Sequence, residues 1–326
     1  LKGDILMNLD SEDENEICVG CAGGIDISAT KKYKEEPAPR GFVAYTVTAK
    51  GLKGGHSGVD IALGRANSNK VLFRFLMQAE SDFGIRIAEA SGGNLRNAIP
   101  RESYAVVMVP SAKTASFEKF VKNYEKMYRA EFAETEPDLT FFCRKTDKPR
   151  RVMNKKDQFG IIRAVFACPN GVQRMSQAMK GLVETSNNLA IVKCVKGKFE
   201  AHNLCRSAVD SSKEATAWKI AGVFHLIDAK VTMSGGYPGW KPNMASPILK
   251  TATGVYTKMF GKEPEVKAIH AGLECAIIGG VYPSLDMVSF GPTIKYPHSP
   301  DEKVNIKSVK KFYHFLCQTL KDVPAK

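Results

Sequence analysis

Tyr104-Ala105-Val106-Val107-Met108-Val109 reads as a strand, and the residues after it change to helical spacing. Phe117, Phe120, Val121, Tyr124, Met127 and Tyr128 recur at intervals near 3.6 residues, and Leu139-Thr140-Phe141-Phe142-Cys143 reads as a second strand closing the unit. The same order returns downstream. Phe199 to Ala208 is strand-like, Ala217, Ile220, Ala221, Phe224 and Ile227 mark one helix face, and Lys230-Val231-Thr232-Met233 follows as a strand. A similar phrase stands ahead of each unit, Asn94-Leu95-Arg96-Asn97-Ala98-Ile99 and Asn187-Asn188-Leu189-Ala190-Ile191. Strand–helix–strand written twice predicts a duplicated α+β unit.

Outward from this block, both flanks read as α/β material. Ser246-Pro247 is a helix start with Pro at the first helical position, Ile248, Val255 and Met259 line one face, and Gly261 supplies the stop. Short strands follow near Val266 to Ile269 and Met287 to Phe290, and a last helix carries Val309, Phe312, Leu316 and Leu320. Ser234-Gly235-Gly236-Tyr237-Pro238-Gly239 has the composition of a hinge. A chain of 326 residues exceeds one ordinary core. The expected fold is therefore α/β, with residues 1–23 and 237–326 forming one domain that an α+β domain, residues 24–236, interrupts.

Composition narrows the class. Apolar content of 44% and charged content of 25% are those of a globular protein, not a disordered one. No apolar run is long enough to cross a bilayer. Eight scattered cysteines fit reduced thiols in a cytoplasm better than a disulfide framework, and Cys18-Val19-Gly20-Cys21 has no second pair to complete a metal knuckle. A net charge of +13 raises the question of nucleic acid, but the lysines are spread over helix faces and no recognised binding motif is present, so none is expected. The opening Leu1-Lys2-Gly3-Asp4 reads as a cut end, which predicts a piece of something longer.

Three places could carry chemistry. In Gly54-Gly55-His56-Ser57-Gly58 the glycines remove bulk around an imidazole, which makes it either a reachable functional group or part of a tight turn. Asp10 follows the strand-like Ile5-Leu6-Met7-Asn8-Leu9; a carboxylate at the carboxyl end of such a strand is either a site or a solvated acidic loop. His298 lies between Pro297 and Pro300, which stiffen its loop, and an ordered imidazole there suits a divalent metal.

Together with Asn97-Ala98-Ile99-Pro100, His270-Ala271-Gly272-Leu273-Glu274-Cys275 and Ser289-Phe290-Gly291-Pro292-Thr293, these phrases closely resemble the bacterial aminoacyl-histidine (Xaa-His) dipeptidases, carnosinase-like members of the zinc aminopeptidase/carboxypeptidase superfamily. The resemblance runs from Asn8-Leu9-Asp10 to the last helix. It implies a two-zinc peptidase domain with an inserted lid, a dipeptide substrate and a cytoplasmic enzyme. Asp10 and His298 are then metal ligands, and His56 is the lid histidine that polarises the scissile carbonyl and stabilises the oxyanion. Asn97 and Glu274 are groups near the substrate, and Arg206 holds the free carboxylate of the dipeptide with its two-pronged guanidinium.

The resemblance leaves a homodimer open as a partner: members with a single lid unit commonly pair through it and take the histidine from their partner. With two units in one chain, His56 of the first and Arg206 of the second would meet without exchange. Ala62 departs from the bulkier polar residue expected after Asp60-Ile61. The family's His-x-Asp motif, bridging aspartate and Glu-Glu pair have no counterpart in this sequence, so only two of the expected ligands are found and the general base is missing. The chain is accordingly expected to be inactive as written, with a non-catalytic, lid-centred association module as the alternative.

Overall fold

The computed structural model describes residues 2–296 and 301–323. Its strands fall mainly into a small sheet and a large one. The small sheet has the order Ile5–Asn8, Asp286–Ser289, Glu16–Cys21, Glu265–Ile269. Ile5–Asn8 runs parallel to Asp286–Ser289, and Glu265–Ile269 parallel to Glu16–Cys21. Parallel strands need covered faces. Helices Pro247–Phe260 and Ile306–Asp322 supply one cover, packing Ile248, Val255, Tyr256 and Phe315 against Ile17, Val19, Val288 and Phe290. Pro247–Phe260 starts and stops where its sequence dictates: the Ser246 hydroxyl accepts from the Leu249 amide, and Gly261 takes the left-handed conformation, φ 69°.

The large sheet is where the duplication lies. Its strands run Thr140–Lys145, Phe42–Lys50, Ser103–Pro110, Arg86–Gly92, Val183–Val195, Lys198–Ser207, Gly23–Lys32, Lys230–Tyr237, with Gly171–Met175 paired to Val183–Val195. Each half follows one chain order, strand–helix–strand–strand–helix–strand. In the first half the helices are Ser68–Phe83 and Thr114–Glu131; in the second they are Lys155–Ala167 and Asp210–His225. Numbered within its half, each set of strands sits in the order fourth, first, third, second. The halves join second strand to second strand, Ala90–Gly92 against Val192–Cys194, giving one continuous sheet and one core from Phe75, Phe117 and Phe141 through to Phe199 and Phe224.

The strand–helix–strand pairs read from the sequence are the later part of each half, and the true repeat is twice as long. Moreover the halves are nested: the first half lies between the first strand and first helix of the second. The two similar Asn-containing phrases are not equivalent. Asn187–Ile191 lies inside the long strand Val183–Val195, whereas Asn97 is in a turn and Ala98–Ile99 pairs with Gly55–His56. The chain passes from the small sheet to the large between Cys21 and Gly23 and returns after Tyr237. All eight cysteines are free thiols; burial pushes Cys21 up to about 12, well away from reactive thiolate chemistry.

Candidate active site

A buried carboxylate sets the His56 loop. Glu136 is 1% exposed, and its two oxygens accept from the Lys53 amide at 2.7 Å and the Ala66 amide at 2.9 Å, pinning both ends of the loop. Between the pins, Gly54 and Gly55 have φ of 67° and 137°, angles that disfavour side chains. A β-carbon on Gly55 would also meet Asp60 Oδ2 at 2.6 Å, and that same oxygen accepts from the His56 amide at 2.8 Å.

His56 Nδ1 accepts from the amides of Gly58 and Val59 at 3.2 and 3.1 Å. A neutral ring in this setting carries its proton on Nε2, which is then a donor. Burial, with the nearby Arg206 charge, holds the imidazole below its ordinary range and so favours that neutral form.

Arg206 stands on Lys198–Ser207, opposite Ser186 on one side and Gly24 on the other. It is 6% exposed, yet no carboxylate pairs with it among the described residues. Nη1 donates to the Tyr237 hydroxyl at 3.0 Å, and the buried Nε has no protein partner. A buried cation left without its counter-charge costs several kcal/mol, which makes Arg206 a candidate partner for an anion supplied from outside the chain. Gly58 brings the two groups together: a β-carbon there would run into the His270 carbonyl and lie 3.2 Å from Arg206 Nε. The His56 loop belongs to the first half of the large sheet and Arg206 to the second, and they meet within one chain.

Two further residues at this place were not singled out in the sequence. His270 is buried, with Nε2 2.7 Å from the Ser186 hydroxyl; burial and Arg206 push it down to about 4, so the ring is neutral at pH 7. Tyr237 was read only as part of the hinge. Asn97 contributes its backbone, its carbonyl accepting from the Ser57 amide at 2.8 Å, while its side chain is exposed.

Glu274 and Asp10 lie beside the small sheet. Glu274 opens helix Glu274–Val281, is exposed, and accepts from Asn8 Nδ2 at 3.4 Å; Asp10 follows strand Ile5–Asn8 in an exposed loop. The segment from His270 to Glu274 connects the two places, packing on Gly58 and Ser186 at one end and meeting Asn8 at the other. His298 lies outside the described residues. Among the described residues no three metal-ligating side chains converge. What the arrangement offers is a neutral imidazole donor beside an unpaired guanidinium, a pairing suited to an oxyanion and a carboxylate.

Known proteins are similar to this chain. A family profile described as a peptidase dimerisation domain matches residues 47–136, the greater part of the first half of the large sheet. The chain is 42% identical over 326 residues to the cytosol non-specific dipeptidase of Escherichia coli (strain K12), a match covering 100% of this chain and 67% of that protein. The crystal structure of aminoacylhistidine dipeptidase from Vibrio alginolyticus superposes with a TM-score of 0.97 at 42% identity, over 100% of this chain and 66% of the other. The chain thus spans about two thirds of the length of these relatives. Identity of this order along every residue, on the same fold, places the chain in the M20 peptidase family, whose dipeptidases are generally metal-dependent.

Proposed function

We propose that this chain is the substrate-gripping and oxyanion-stabilising portion of a zinc-dependent cytoplasmic dipeptidase acting on Xaa-His and similar dipeptides. Residues 24–236 serve as the lid, and residues 1–23 with 237–326 belong to the peptidase domain. The observation that carries this reading is Arg206, buried, cationic and unpaired beside the His56 loop. Its fork takes the free carboxylate of the dipeptide and so sets which peptide bond is presented. His56, with Nδ1 already accepting two amides, donates from Nε2 to the carbonyl oxygen as negative charge develops there.

Asn97 and Glu274 border the substrate, and Asp10 with His298 act as ligands of a two-zinc centre that activates water. That ligand set is incomplete among the described residues, so these 326 residues alone are expected to bind fewer than two zinc ions and to show little turnover. The E. coli relative's name supports the cytoplasmic placement, and among the described residues no helix is long and apolar enough to cross a membrane.

Zinc titration followed by a Gly-His hydrolysis assay is the test. Stoichiometric binding of two zincs with turnover would make the chain an enzyme by itself. Failure to bind either zinc or dipeptide would reduce it to a lid-centred association module. In the active dipeptidase, His56→Ala should lower kcat by roughly a hundredfold or more. Mixing His56→Ala protein with Arg206→Ala protein should recover no activity, because one chain supplies both residues; recovery would place them in different chains.

A further inference from the structure

Tyr237 ends the last strand of the large sheet, at the point where the chain crosses back to the small one. Its ring lies over two glycines. A β-carbon on Gly24 would come within 2.7 Å of the hydroxyl, and one on Gly272 within 3.3 Å of the ring edge. The backbone beneath is bolted to the large sheet's last helix: Lys213 Nζ donates to the Tyr237 carbonyl at 2.6 Å and pairs with Asp210 at 2.6 Å, and Asp210 also accepts from the Gly239 amide at 3.1 Å. Lys213 is only 6% exposed, so this bolt is part of the interior.

The direction of one hydrogen bond matters most. Arg206 Nη1 is the donor and the Tyr237 oxygen the acceptor, at 3.0 Å. A guanidinium has no lone pair to accept with, so the phenolic hydrogen is not used by Arg206. The tyrosine is half-buried, open enough for a ligand to reach it. A hydroxyl polarised by a neighbouring cation is also a stronger donor to an anion. Tyr237 O–H and the unpaired Nε–H of Arg206 are therefore two donors on adjoining groups, one from the hinge and one from a central strand.

We propose that Tyr237 is a substrate-binding residue that donates its hydroxyl hydrogen to the same carboxylate that Arg206 holds. The inference rests on the reading of Arg206 as the carboxylate group's partner and adds a second anchor to it. Because Tyr237 sits on the hinge, a bound free carboxylate ties the return segment to the strand carrying Arg206. Free-acid dipeptides are thereby selected over peptides whose carboxyl terminus is amidated.

The test is an NMR titration of the chain with Gly-His and, separately, with glycyl-histidinamide. The wild-type protein should prefer the free acid. Tyr237→Phe, which keeps the ring on Gly24 and Gly272 and hence the fold, should weaken Gly-His about fivefold to tenfold and leave the amide unchanged. Arg206→Met should weaken the free acid further. Equal affinity of Tyr237→Phe and wild type for Gly-His, or equal loss for acid and amide, overturns the proposal. So does a wild-type protein that does not distinguish the two ligands. A wild-type protein that prefers the free acid while Tyr237→Phe binds it equally well removes this proposal alone; one that binds neither ligand removes the dipeptidase reading with it.

Discussion

His270 shows how a single residue carries structural and functional constraints at once. It holds Ser186, faces Arg206, and its carbonyl backs the His56 loop at Gly58. Burial and Arg206 lower its pKa from 6.5 to about 4, so in the unfolded chain it takes up a proton at higher pH than in the folded one. Its contribution to stability is therefore full above pH 6.5, is lost as the pH falls from there to about 4, and changes no further below. The loss across that window should be roughly 3 kcal/mol. Urea unfolding at several pH values reads it directly, and His270→Gln should flatten the profile by that amount. A variant that titrated as steeply as wild type would assign the acid sensitivity to another group. His56 was legible in the sequence because glycines crowd around it locally. His270 and Tyr237 were not, because their partners lie 84 and 31 positions away and come near only through sheet pairing.

At the scale of elements, the His56 loop is a strap whose two ends share one anchor. Glu136 follows helix Thr114–Glu131, yet it holds amides at positions 53 and 66, so the end of that helix governs where the His56 imidazole sits. Glu136→Ala leaves both amides without their acceptor and should destabilise the protein by about 3 kcal/mol, with Glu136→Gln intermediate. Chemical denaturation gives the first quantity. The second consequence, a shift of the His56 ring resonances, separates loss of the strap from general loosening, because a merely structural acceptor would leave the ring where it was. Much of the element layer was legible: helical spacing from Phe117 to Tyr128 and from Ala217 to Ile227 depends only on near neighbours. The leading strand and helix of each half were harder. Gly23–Lys32 gains its identity from Lys198–Ser207 and Lys230–Tyr237, and no local period announces such partners. The second Asn phrase misled for a related reason. Asn187 and Asn203 hydrogen-bond to each other across two strands, so the asparagines there are buried network members, not turn formers.

Over the whole molecule, the large sheet places groups from two halves at one site, which is why residues as distant in sequence as His56 and Arg206 adjoin. The two units legible in the sequence made that meeting an expectation, while the matching strand order of the halves and their nesting emerge only from the pairing. Nesting bears on how the chain is made. Strands Phe42–Lys50 through Thr140–Lys145 are contiguous and can assemble as soon as they leave the ribosome. Gly23–Lys32 emerges before them, yet its two neighbours are the last strands of the sheet, so it must wait, unpaired, while the whole first half folds. Closing so long a loop costs entropy before any contact repays it. Pulse-labelled hydrogen exchange during refolding should accordingly protect amides of Phe42–Lys50 before those of Gly23–Lys32, and simultaneous protection would contradict this order. The strand that waits carries Gly24, the floor beneath Tyr237, so Tyr237 and Arg206 come together over that floor only after the first half has formed.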